Sequence, residues 1–241
     1  MAIVLYYYVK YNTMKAMAKA SGIAYLLIFI SGFYANFAIL ENLVDLDNSE
    51  QTTLNIINDS IQFRHGLIAF FIMLISDVFL IWSLFKITEP TQKIVPYIAS
   101  LFRGLHASFF IIALTKLFEV YKITSRSINS EELQNSVIYL LSNFDKLWTI
   151  GLLFFGAHLV MLGFLAFKSN YIPKFIGVLL VLAALGYFID GFSKLFLPSY
   201  HEYQSYFQAI VVFTGVIGEL SFTIWLLVKG FSQKTFNVWY L

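Results

Sequence analysis

Asp77, Arg103, His106, His158 and Glu219 stand deep inside long apolar runs of this 241-residue sequence, and their types can do chemistry. A full charge at the centre of a membrane-length helix costs about 2.5 to 3.5 kcal/mol on insertion scales, so such groups turn inward and find partners. Arg103 and His106 are three residues apart and share a helix face. Glu219 shares a face with Gly215 and Phe222, and its neighbour Gly218 lets another backbone come close. His158 lies on a face with Gly151 and Phe155. An Arg103 guanidinium bridging Glu219 or Asp77 would make a charge-assisted, bidentate pair. The carboxylate left over would then carry a proton or bind a cationic or polar ligand. The plainer role for the same residues is interhelical glue.

Two histidines on different helices also suit a haem held by both imidazoles, or a zinc ion completed by a carboxylate. Arg103 on the face of His106 argues against a metal, because it adds positive charge beside the cation. Ser31, Ser76, Ser83, Ser108 and Ser221 fall in apolar runs, but none sits in a Gly-x-Ser-x-Gly elbow. There is no Gly-rich phosphate loop and no His-Glu-x-x-His pair. A second polar group comprises Asp190 and Lys194 at i,i+4 spacing, with Lys116 and Glu119 closing another apolar run. It reads as snorkelling interfacial ion pairs, with a ligand gate as the weaker reading.

The elements that must position these residues follow from composition. The chain is 59% hydrophobic and 12% charged, with a mean hydropathy of +0.74. A soluble domain is about half apolar and a quarter charged, so there is too little polar surface here to wrap a water-soluble globule. That excludes a soluble enzyme and a nucleic-acid binder. With Cys at 0, disulfides, thiolate zinc sites and iron-sulfur clusters are excluded too. No cofactor is implied, and no motif names a substrate or an oligomeric state.

Six apolar blocks, about 22–40, 65–87, 94–117, 147–167, 175–197 and 207–228, are each long enough to cross a bilayer as a helix. They lack the alternation a lipid-facing barrel needs. Pro90, Pro173 and Pro198 fall at block edges and Pro96 in a first turn, where a missing N–H costs nothing. The fold class is therefore all-α, a polytopic bundle of six transmembrane helices. At about 1.5 Å per residue, Asp77 lies roughly 14 Å from Lys86, His158 roughly 15 Å from Lys168 and Glu219 roughly 15 Å from Lys229. Arg103 and His106 lie roughly 12 and 16 Å into the third block. Four helices thus place ionisable groups at one depth, which points to a polar layer near the bilayer midplane that binds a small or amphiphilic molecule, with proton coupling. The rivals are an intramembrane haem or metal enzyme and a structural or accessory subunit.

Lys10, Lys15, Lys19, Lys86, Lys93, Lys168, Lys174, Lys229 and Lys234 fall on one side if the N-terminus is inside, whereas the first outer loop carries Glu41, Asp45, Asp47, Glu50 and Asp59. Both termini are therefore expected in the cytoplasm. The expected organisation is an N-terminal extension at 1–13, a transmembrane domain at 14–230 and a cytoplasmic tail at 231–241. Met14, followed by Lys15 and Lys19, would make a sensible start, and residues 1–13 lack a signal-peptide cleavage site. Leu54, Ile57 and Ile61 in one outer loop, and Leu133, Val137 and Leu140 behind an Asn129–Glu132 cap in another, predict two short amphipathic helices.

Several motifs taken in order carry a family resemblance. They are Gly22-Ile23-Ala24-Tyr25-Leu26, Phe102-Arg103, Phe154-Phe155-Gly156-Ala157-His158, Gly163 through Lys168 and Pro173-Lys174 to Gly177, Gly186-Tyr187 with Asp190, and Gly218-Glu219-Leu220-Ser221-Phe222 running into Trp225 and Lys229-Gly230. Over about 14–230 the chain resembles a bacterial integral-membrane family known as a domain of unknown function, DUF4386. The resemblance implies a multi-pass protein of a bacterial cytoplasmic membrane, in contact with lipid, and no particular activity. It touches Arg103, His158, Asp190 and Glu219 and leaves out His106.

Overall fold

The computed structural model describes residues 2–125 and 129–232, with side chains from residue 12 onward. Arg126 and residues 233–241 of the expected tail lie outside the described residues. Helix α1 is regular over Ala2–Phe33, continues through a π-helical stretch Tyr34–Leu40 and closes with an α turn Glu41–Leu43. Then follow α2 (Ser49–Asn58), α3 (Ser60–Thr88), α4 (Val95–Thr124), α5 (Glu131–Lys168), α6 (Lys174–Phe196) and α7 (Tyr200–Phe231). No strand occurs among the described residues. Six helices, all but α2 and with α1 counted over Asn12–Leu43, are long and apolar enough to cross a membrane. The chain is thus an all-α, multi-pass membrane protein, as its composition requires.

Proline punctuates as expected. Helix α3 stops at Thr88, just ahead of Pro90, and Pro173 caps α6 with φ −59° and ψ 131°, before Pro198 follows its end at Leu197. Two features differ from expectation. The predicted second outer-loop helix is not separate: it forms the first turns of the 38-residue α5. Nothing between Val137 and Leu147 breaks a helix, and Leu133, Val137, Leu141 and Phe144 continue one buried stripe into the membrane-length part. Its cap is Ser130, whose Oγ accepts from Leu133 N–H at 3.3 Å, while Asn129 Oδ1 accepts from Gln134 Nε2 at 3.0 Å.

The other difference is the π-helical stretch, where the N–H of Glu41 reaches back to Asn36 O. Asn36 Nδ2 donates to Gly32 O at 2.9 Å and Gln62 Nε2 to Ala38 O at 3.2 Å. These side chains thus bond to carbonyls in and just ahead of the π-helical stretch.

The chain divides into two compact units. One comprises residues 27–76 and 107–151. Its core is apolar: Ile39, Ile56, Phe63, Phe70, Phe110, Leu117, Val137 and Phe144 are buried together. Phe70 packs edge-on against Phe110 at 5.9 Å and against Trp148 at 5.7 Å. Helix α2 belongs to this unit and buries Thr52, Thr53 and Ile56, rather than the predicted Leu54–Ile57–Ile61 face. The threonines can go inside because their hydroxyls are satisfied locally: Thr52 Oγ1 donates to Asp45 O at 2.7 Å and Thr53 Oγ1 to Ser49 O at 2.8 Å.

The other unit comprises residues 1–26, 77–106 and 152–241. Small residues bring its backbones close, as in many membrane helix pairs. A Cβ on Gly218 of α7 would sit 2.6 Å from Leu179 O of α6, and one on Gly163 of α5 would sit 2.9 Å from Gly177 O of α6. Only glycine fits at either place.

Candidate functional site

All five predicted polar-layer residues are buried, and all five belong to this second unit. Helix α3 supplies Asp77, α4 supplies Arg103 and His106, α5 supplies His158, and α7 supplies Glu219. Arg103 is 1% exposed and the largest of the fully buried side chains. Its Nη2 donates to Asp77 Oδ1 at 2.6 Å, and its Nη1 donates to Tyr25 Oη at 3.0 Å and to His158 Nε2 at 3.1 Å. The guanidinium also lies 5.2 Å from the ring centre of Tyr25 and 5.4 Å from that of Phe155, distances suited to cation–π attraction. One arginine thus ties together groups from α1, α3 and α5.

The protons on His158 follow from its neighbours. Its Nδ1 is 2.9 Å from Ala99 O, and a carbonyl can only accept. Nδ1 therefore carries the hydrogen and Nε2 is the acceptor for Arg103, which is the neutral imidazole. Both ring nitrogens are engaged, so His158 has no lone pair to give a haem iron or a zinc ion. Among the described residues no group of three or more His, Asp or Glu side chains is placed to hold a metal ion. The donor set does not fit the two-histidine cofactor reading.

Glu219 stands apart from the pair that sequence spacing left open. Arg103 pairs with Asp77, and the Glu219 carboxylate accepts instead from Tyr187 Oη at 2.7 Å. Phe155 links the two groups by packing: its ring centre is 5.1 Å from His106, 5.9 Å from His158 and 5.3 Å from Tyr187. His106 Nε2 lies 3.7 Å from Asp77 Oδ2. Tyr25 and Tyr187 are the site residues that sequence reasoning missed. A tyrosine hydroxyl in mid-span was the available signal, since a buried Tyr O–H seeks a partner.

The second polar group divides. Lys116 Nζ pairs with Glu119 one turn along α4 at 3.3 Å, in line with a local ion pair. Asp190 Oδ1 accepts from Tyr200 Oη at 2.8 Å. Ser31 bonds back to Leu27 O, and Ser83 Oγ accepts from Ser21 Oγ at 2.9 Å, so neither is set up as a nucleophile. Outside the spans, Tyr171 Oη donates to Ile87 O at 2.6 Å and stands 2.9 Å from Thr91 Oγ1. Its ring stacks on Trp225, and burial pushes its phenol above the usual tyrosine range.

The family described as "Domain of unknown function (DUF4386)" matches residues 20–230. The chain belongs to this family. The match holds every residue of the polar network, from Tyr25 to Glu219. A relative from Archaeoglobus fulgidus, described as an uncharacterized protein, is 30% identical over 166 residues, which covers 69% of this chain and 84% of the relative. That relative is archaeal. No solved structure matches the chain.

Proposed function

We propose that this DUF4386 protein binds a small polar or amphiphilic molecule at the buried layer formed by Asp77, Arg103, His106, His158 and Glu219, and that Glu219 carries a proton linked to that binding. The observation that carries the reading is a charge count. Among the described residues the fully charged side chains that are buried are Arg103, Asp77 and Glu219, so the layer has one cation and two carboxylates. Arg103 neutralises Asp77 directly. Glu219 has a neutral tyrosine for a partner and is the group on which a proton can enter or leave. Buried charge is costly in a membrane protein and marks functional positions more often than surface charge does.

The test is proton exchange by purified protein in vesicles. After a pH jump the wild type is expected to exchange about one proton per chain more than Glu219→Gln, which keeps its helix content. Equal exchange in both proteins would remove Glu219 from the role. A second reading, interhelical glue, is favoured by the bonds from Arg103 to three other helices. It is supported instead if variants at the layer change stability alone.

We also read both termini as cytoplasmic, with lysines collected on that side and acids in the first outer loop. Because the chain has no cysteine, single cysteines placed at Lys93 and Asp47 can be labelled from either side of sealed cells without background. Asp47 alone reacting with an impermeant reagent supports this orientation, and Lys93 alone reacting reverses it.

A further inference from the structure

Two atoms of the network are buried without a hydrogen-bond partner, and they are opposite in kind: the acceptor Asp77 Oδ2 and the donor Arg103 Nε. They belong to one unfinished contact. The guanidinium edge bearing Nε and Nη2 is a two-donor fork that matches both oxygens of a carboxylate. Here Nη2 holds Asp77 Oδ1 at 2.6 Å, yet Nε and Oδ2 make no bond to each other. His106 Nε2 is 3.7 Å from the same Oδ2, too far for a hydrogen bond but close to any group seated there.

The chemistry of a group that would complete this arrangement is narrow. A cation would suit Oδ2 but be repelled by the guanidinium, and an anion would suit Nε but be repelled by the carboxylate. A neutral group with a donor and an acceptor serves both. A hydroxyl carries the two on one oxygen. The wall beside the position is apolar, since the Phe155 ring packs on both Arg103 and His106.

We propose that Asp77 Oδ2 and Arg103 Nε, beside the His106 ring, form a site for the hydroxyl headgroup of a membrane-soluble alcohol. This rests on the reading of the layer as a ligand site and names the ligand class for it. The surplus charge is then met by the proton on Glu219 and the ligand itself is neutral.

The test uses the full chain in detergent and four eight-carbon probes that differ only in headgroup: 1-octanol, octyl methyl ether, octylamine and octanoate. Octanol is expected to raise the unfolding midpoint in a dose-dependent way by about 3 °C, a readable shift for a chain of this length, and the other three are expected to leave it unchanged. His106→Phe keeps the Asp77–Arg103 pair and should weaken the octanol response. A diazirine-bearing octanol should label the neighbourhood of Phe155 and be competed by octanol, a readout that does not depend on any variant folding. Stabilisation by octylamine alone, no response to any probe (a site holding at most a water molecule), or adducts only elsewhere would overturn the proposal. Proton exchange by Glu219 that persists in such a case leaves the ligand-site reading standing; loss of both removes it.

Discussion

In the unit made of residues 27–76 and 107–151, the buried polar groups are hydroxyls such as Thr52, Thr53 and Thr149, each bonded to backbone within its own segment, and the interior is otherwise Phe63, Phe70, Phe110 and Phe144. In the other unit, Asp77, Arg103, His106, His158 and Glu219 are buried, and Arg103 bonds across helices to Asp77 and His158 as Glu219 does to Tyr187. Both units draw on α1, α3, α4 and α5, helices of one apolar character. A membrane interior therefore accepts either solution, but among the described residues only the second buries ionisable side chains. The aromatic unit is held together without buried ionisable groups, and it is in the other unit that the proposed site falls.

The largest expected effect separates them. Arg103→Leu leaves Asp77 buried and unpaired and is expected to destabilise by about 3–5 kcal/mol, read as unfolding midpoint in lipid or detergent. Phe70→Ala in the aromatic unit is expected to cost no more than roughly 3 kcal/mol, the low end for such a cavity, because lipid tails are as apolar as the interior and the transfer term falls away. The contrast sharpens in a double variant. Asp77→Leu with Arg103→Met is expected to regain most of the lost stability while abolishing ligand response and proton exchange. A double variant that stays as unstable as Arg103→Leu alone would show that the layer cannot be replaced by apolar packing, and would blur the distinction between the units.

Next in size is Gly218→Ala, where the added methyl meets Leu179 O; overpacking of this kind costs about 1–3 kcal/mol. The smallest effect is at Tyr171→Phe, about 1 kcal/mol for each hydrogen bond its hydroxyl makes to Ile87 O and Thr91 Oγ1. It carries a pH signature. Burial raises the folded-state pKa of Tyr171, so its stabilising proton is fully held below the ordinary value of about 10 and is lost as pH rises through the folded value. The gap between wild type and Tyr171→Phe should be constant at neutral pH and shrink only in strong alkali.

Much of this was legible in the residues alone. The six apolar runs give the spans because a bilayer leaves a chain few alternatives to a helix. Asp77, Arg103, His106, His158 and Glu219 announce their burial by type and depth. The choice of Asp77 over Glu219 as the partner of Arg103 was not legible, because it depends on the rotation of three helices about their own axes, and spacing along one helix says nothing of its neighbours' phase. Tyr25 and Tyr187 were hidden for another reason: with 15 tyrosines in the chain, type alone does not separate a network hydroxyl from an interfacial one. The unbroken run of α5 escaped because polar Asn143, Asp145 and Lys146 look like a loop by hydropathy, although each is compatible with a helix.

That run has a practical consequence. Thirty-eight residues of helix make a rod about 57 Å long, and even at a steep tilt of about 40° it rises roughly 44 Å, against about 30 Å of hydrocarbon. The Glu131 end therefore stands in water as a rigid post continuous with the segment that bears His158. A fluorophore or antibody fragment fixed there would report from outside the membrane any rotation or tilt of the helix that reaches the buried histidine.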